Sequence, residues 1–377
     1  TENYNSYTLS TFFEKRFDDN SGFIRVATAI MAIFFLTCYI AAGLIAMGGF
    51  FESVFGINYS FGITIATITF MLYTFFGGFV TVAWTDLFQG LFLLCVIIAV
   101  PVIALGHIDG GIWSIVNIAQ ANDISLRLIP DLSWQSLTSI IFIVLSWGLG
   151  YFGQPHIVTK FMGINNAQEL TKSKYVGMSW MIVALSAAAC VGLVGMAFFK
   201  EGLSNPELVF VEMVKKLFNP LTGGFILCGV LAASISTMAS QILVCASILS
   251  EDLYKHLIHK HASQRELLKI SKIGVVIVAL ISLLLALKKN STILEAVMYA
   301  WSGLGSAFGP LVLMSLYSKT ANKYGAIAGI IVGGSIAAIW GNANGYITDL
   351  PVPSMLPGFF LGLLTIYVVS NATKRFQ

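Results

Sequence analysis

Residues 227–247 read LCGVLAASISTMASQILVCAS, a run of 21 positions with no charged side chain. As a helix rising about 1.5 Å per residue it spans roughly 31 Å, the thickness of a bilayer's hydrocarbon core. Such a stretch reads as a membrane-crossing helix. It also carries a polar stripe, because Ala233, Ser236, Thr237 and Ser240 are spaced i, i+3, i+4 and i+7 and share one helical face. Two uses of that stripe stay open. Hydroxyl oxygens and a backbone carbonyl freed by a local break suit a small hard cation such as sodium. Alternatively, Ala232, Ser236 and Ser240 make a small-residue packing seam whose hydroxyls bond back to their own helix.

The rest of the chain has the same character. Hydrophobic residues make up 57% and charged residues 10% of the 377, against about 25% charged in soluble domains. Nine further apolar runs are long enough to cross a membrane. The ten expected spans are 24–50, 61–79, 86–105, 137–161, 175–199, 223–249, 270–287, 293–317, 324–340 and 355–369. The fold class is therefore an all-α polytopic membrane protein. Residues 1–23 read as a cytoplasmic lead-in, 24–370 as the transmembrane domain and 371–377 as a cytoplasmic tail. The connection 106–136 is long enough for a surface helix or a lid. Orientation follows from the basic residues, which concentrate in alternate loops: Lys15, Arg16 and Arg25, then Lys160, Lys172 and Lys174, then the stretch 255–272. By the positive-inside rule both termini face the cytoplasm.

Several function classes fall away. The net charge is +3 and the basic residues sit between apolar runs, so there is no basic face for nucleic acid. The five cysteines lie inside apolar runs and read as small buried hydrophobes. No phosphate-cradling glycine loop, nucleophile elbow or metalloprotease helix occurs, which argues against an enzyme and against ATP drive. His256, His259 and His261, in KHLIHKHASQRELLK, lack neighbouring Cys or acids at ligand spacing and read as a solvated loop. No metal beyond sodium, no organic cofactor and no obligatory protein partner is called for.

The fourth span contains WGLGYFGQPHIVTKFM, where Trp147, Tyr151 and Pro155 recur at i, i+4 and i+8. They line one face until the proline disrupts it. Aromatic rings beside freed backbone groups and Gln154 can enclose a small zwitterion; packing is the alternative use. Breaks of this kind, expected at Gly153 with Pro155 and at Gly309 with Pro310, survive in a membrane only where protein or a watery cavity satisfies the backbone. Asp86, in AWTDLFQ, begins the third span, where an N-terminal cap favoured by the helix dipole suffices to account for it, with ion handling the lesser alternative. Glu52 and Glu295 read as solvated span ends.

Five stretches, YTFFGGFVTVAWTD (73–86), GYFGQPHIVTKFM (150–162), residues 218–255, KHASQREL (260–267) and YAWSGLGSAFGPLVL (299–313), closely resemble the sodium:solute symporter family, and within it the bacterial carriers of proline. The resemblance runs in order from about Tyr7 to Val369. It implies a LeuT-like core of inverted repeats, and thirteen membrane helices of which the ten spans here are the last. The opening, which lacks methionine, agrees with a fragment or processed product, and the chain alone is then expected to be incomplete and inactive. The resemblance implies co-transport of sodium with a small solute, L-proline, across the bacterial inner membrane. Pantothenate, sialic acid or a sugar are the rival solutes, and a non-transporting fragment or sensor the rival function. Residue by residue, it makes Ala233, Ser236 and Thr237 half of a sodium site. It puts Trp147, Tyr151 and Pro155, with Tyr39, on the solute-binding face. It links Asp86 to sodium, at a second cation or gating position with Ser240. Ala239 stands where relatives can carry another hydroxyl, which leaves Ser240 as the one hydroxyl there.

Overall fold

The computed structural model describes residues 8–76, 79–127, 129, 131–162, 164, 166–289, 291–348 and 351–374. Parts of the expected lead-in (1–7) and tail (375–377), and Gly77 with Gly78 in the first matched motif, lie outside the described residues.

Among the described residues, ten helical stretches are long and apolar enough to cross a membrane. In chain order the α-helices are α1 (Leu9–Arg16), α2 (Phe23–Phe55), α3 (Tyr59–Phe76), α4 (Phe79–Gly106), α5 (Ile112–Ala121), α6 (Trp134–Gly150), α7 (Pro155–Met162), α8 (Leu170–Phe198), α9 (Val209–Leu217), α10 (Pro220–Ser247), α11 (Gln264–Ala286), α12 (Ile293–Tyr317), α13 (Lys323–Ile347) and α14 (Met355–Ala372). The connection 106–136 holds α5, the surface-helix outcome.

The chain forms two compact units. The first comprises residues 1–42, 131–165 and 240–377. Its centre is α12, against which α6, α13 and α14 pack. Every residue from Ala300 to Leu311 is buried. A capping box, Thr292 with Glu295, starts α12 by satisfying two end donors reciprocally, so Glu295 is a cap rather than only a solvated end. At the other end Arg16 donates to the carbonyls of Ser315 (2.8 Å) and Ser318 (3.1 Å), a cation on carbonyls where a helix end welcomes one. Arg25 pairs with Glu14, and its Nη1 lies 3.3 Å from His256 Nδ1. The second unit comprises 43–130 and 166–239. There α4, α8 and α9 pack on one another and α5 on α8. Glu212 of α9 accepts from Ser53 (2.5 Å) and Lys215 (2.9 Å), while Lys215 also donates to the Ser53 carbonyl near the end of α2.

The expected span 137–161 contains the break expected at Gly153 with Pro155: α6 ends at Gly150, a 3-10 turn covers Tyr151–Gly153, and α7 begins at Pro155. Three other expectations need correction. The parallel pair Gly309–Pro310 makes no break, since α12 runs on to Tyr317 with Pro310 inside it. One lost hydrogen bond is tolerated where neighbouring helices hold the segment in place. The expected histidine loop begins later than thought. A π-helical turn, Ile248–Ile258, extends α10 and carries His256, while His259 bonds Glu266 at 2.9 Å. Finally, Cys95, Cys190 and Cys228 are exposed, whereas Cys245 is buried and Cys38 partly so. In a bilayer an apolar side chain is stable on the outside as well as inside, so composition cannot choose between the two.

Candidate functional site

In the first unit the break between α6 and α7 builds an aromatic face. Pro155 has no N–H and sits at the first position of α7, where none is needed, while the chain at Gln154 is extended. The Gly150 carbonyl at the end of α6 finds a donor: the amide Nε2 of Gln154, fully buried, reaches Gly150 O (3.2 Å) and also Trp301 O of α12 (3.1 Å). This fastens the break to α12. The approach is close, since a Cβ on Gly153 would lie 2.5 Å from the Leu304 carbonyl oxygen and 2.7 Å from Gly305 Cα. Glycine is what permits it.

Trp147, the last turn of α6, is half-buried and its ring centroid lies 5.2 Å from that of Trp301. Tyr151 meets the same indole edge to face at 4.8 Å and remains 38% exposed, enough to touch a solute. Tyr39, on α2, packs against the cluster of Trp301, Met355 and Phe359, and its ring stands 5.7 Å from His156. The structure thus brings Trp147, Tyr151 and Tyr39 around one buried indole, with Pro155 at the break itself. Sequence reasoning did not select Trp301 or His156. Trp301 lies within YAWSGLGSAFGPLVL (299–313), and its depth inside an apolar span is the available signal.

In the second unit Ser236 of α10 is buried and its hydroxyl donates to the Asp86 carboxylate. Asp86 is not the helix cap. Because α4 starts at Phe79, the acid lies two turns inside, where hydropathy but not hydrogen bonding begins a span. Next to it, Thr85 Oγ1 is 2.5 Å from Tyr73 Oη. No break frees a carbonyl at Ala233, for α10 is continuous from Pro220 to Ser247. Instead the exposed Thr237 donates its hydroxyl to the Ala233 carbonyl at 3.0 Å, as the packing alternative expected. Ser240, three residues beyond Thr237 on α10 and in the first unit, has a buried Oγ with no hydrogen-bond partner among the described residues. The oxygens brought together are therefore the Asp86 carboxylate and the Ser236 hydroxyl, while the Ala233 carbonyl stays engaged within α10. Such hard ligands suit sodium and do not suit soft metals.

Comparison with known proteins identifies the family. The profile of the sodium:solute symporter family matches residues 1–333. The chain is 40% identical over 371 residues to the osmoregulated proline transporter OpuE of Bacillus subtilis, covering 98% of this chain and 74% of that protein. It is 38% identical to the high-affinity proline transporter PutP of the same organism, covering 98% and 77%. To the sodium/proline symporter of Staphylococcus aureus it is 37% identical, covering 98% and 73%. A solved structure, the substrate-bound outward-open state of a Na+-coupled sialic acid symporter, superposes with a TM-score of 0.78 at 20% identity, over 97% of this chain and 77% of that one. At that identity the likeness speaks for the fold, a LeuT-like bundle. An apolar chain with ten helices long enough to span a membrane among its described residues, a carboxylate–hydroxyl pair inside one unit and an aromatic helix break inside the other, matches the family's profile over most of its length and belongs to the sodium:solute symporter family.

Proposed function

We propose that this protein carries L-proline into the cell with sodium, by alternating access across the bacterial cytoplasmic membrane, with residues 1–23 and 371–377 on the cytoplasmic side. The relatives named for proline transport support the solute, and the Lys and Arg asymmetry supports the orientation. One observation carries the coupling: Ser236 and Asp86, on different helices of a chain with few charges, meet inside one unit. With Ala233 and Thr237 they form the sodium-binding part, and Ser240 supplies a spare oxygen at the second cation or gating position. Trp147, Tyr151, Pro155 and Tyr39 form the solute part, apolar rings for the pyrrolidine and backbone polarity for its charged groups. The protein moves its solute rather than converting it.

The energetics suffice with one ion. A charge crossing about 100 mV releases about 2.3 kcal/mol. Adding a tenfold sodium gradient brings the total to about 3.7 kcal/mol, enough to hold roughly a 500-fold solute gradient. Ion binding orders the site, solute follows, and the differential affinity of the loaded protein for its two states drives the turnover.

The test is uptake of labelled L-proline into proteoliposomes in sodium and in potassium buffer at matched pH and membrane potential. Uptake should require sodium, and equal rates in both buffers would overturn the coupling. Ser236→Ala should raise the sodium concentration for half-maximal uptake about tenfold, about 1.4 kcal/mol for one charge-assisted hydrogen bond. Preference for pantothenate over proline would leave the coupling standing and refute the solute.

A further inference from the structure

The solute face contains one large side chain outside the set expected from the sequence. Trp301 is only 3% exposed, and its ring contacts both Trp147 and Tyr151. A buried indole ordinarily gives its N–H to an acceptor. Here Nε1 is buried and has no hydrogen-bond partner among the described residues. The nearby carbonyls of Gly150 and of Trp301 itself take Gln154 Nε2, the Gln154 Oε1 is buried but makes no hydrogen bond to the indole, and Met355 and Phe359, which share its cluster, offer no oxygen in their side chains. Gly150 packs so closely that a Cβ there would collide with Nε1. The fold therefore makes room for an indole in particular and leaves its one polar atom unused. Phenylalanine would fill a core without burying a donor.

We propose that Trp301 is a fourth aromatic of the solute face and determines specificity: its Nε1–H hydrogen-bonds an acceptor oxygen of the bound solute, the carboxylate oxygen of an amino acid. The inference rests on the proposed function and names the group that reads the solute's acid end. Gln154, which ties the Trp301 carbonyl to the break, is a positioning residue for this indole. An unpaired donor inside a ring cluster also sets the cost of a solute that has no acceptor, because the N–H then stays unsatisfied in the closed site.

The experiment is competition against labelled L-proline uptake in sodium by two unlabelled compounds, L-proline and pyrrolidine, which keeps the ring and amine but lacks the carboxylate. In Trp301→Phe the half-inhibitory concentration of L-proline should rise about tenfold while that of pyrrolidine changes less than about twofold, collapsing the discrimination between them. If this variant fails to fold, incorporation of 3-benzothienylalanine at position 301 replaces the N–H by sulfur at nearly constant shape and should give the same collapse. Equal shifts for both compounds, or none, would mean that the indole only packs. Absence of sodium-dependent proline uptake by the unsubstituted protein would instead overturn the proposed function, a separate outcome.

Discussion

Asp19, just before α2, accepts the backbone N–H of Ile24 at 2.9 Å and of Ser21 at 3.1 Å, so it caps the first span. Burial pushes its carboxyl up, but the Ser21 hydroxyl, the two backbone donors and Lys323 outweigh burial and hold the pKa below the ordinary 3.8. A lowered acid pKa adds stability above the unfolded value, and that stability is lost as pH falls through the folded one. Asp19→Asn should therefore lose about 1 kcal/mol near neutral pH, with the difference shrinking below about pH 4. Thermal unfolding in detergent across pH measures it; equal melting at pH 7 would remove Asp19 from the account. The residue scale is also where the sequence was least legible. Asp86 reads as a cap because hydropathy marks where lipid-compatible chain begins, whereas the chain is already helical from Phe79 onward. Its partner Ser236 lies 150 residues away, and no local pattern joins them. The hydroxyl stripe itself was legible, since period and composition define it.

At the scale of elements, spans were readable and breaks only half so. Apolar length placed ten helices, with ends displaced by several residues where a helix continues past its apolar part, as α10 does into Ile248–Ile258. Glycine with proline signalled both Gly153–Pro155 and Gly309–Pro310, yet the helix stops only at the first. There Gln154 supplies a donor for the Gly150 carbonyl; at the second, α13 and α14 flank an unbroken α12. Tertiary context decides, and a single sequence does not carry it. The contact at the break gives a paired prediction. Gly153→Ala puts a methyl group against the backbone of α12 and should cost roughly 1–3 kcal/mol of stability, as overpacking does, with a maximal uptake rate down about tenfold at equal expression. Gly148→Ala, five residues earlier with nothing within 4 Å of its added Cβ, should change little. Similar losses at both positions would indicate that helicity, not the close approach, is what alanine disturbs.

For the whole molecule, the asymmetry of Lys and Arg makes a topological prediction. A fluorescent-protein fusion after the final residue should glow and an alkaline-phosphatase fusion there should stay inactive, because the first matures in the cytoplasm and the second outside it. The reverse pattern would place the C-terminus on the far side and invert the whole orientation. One further property concerns how such a molecule is made. Among the ten spans, α12 is the least apolar and also the one most enclosed by the rest of the protein. The helix that lipid would receive least willingly is the one that meets lipid least in the finished molecule. Its lodging in the membrane during synthesis must then depend on company. The partners that finally surround it, α13 and α14, are not yet synthesised when it leaves the ribosome, so the insertion machinery has to shelter α12 until they arrive, and a chain stalled before α14 should lose it to degradation.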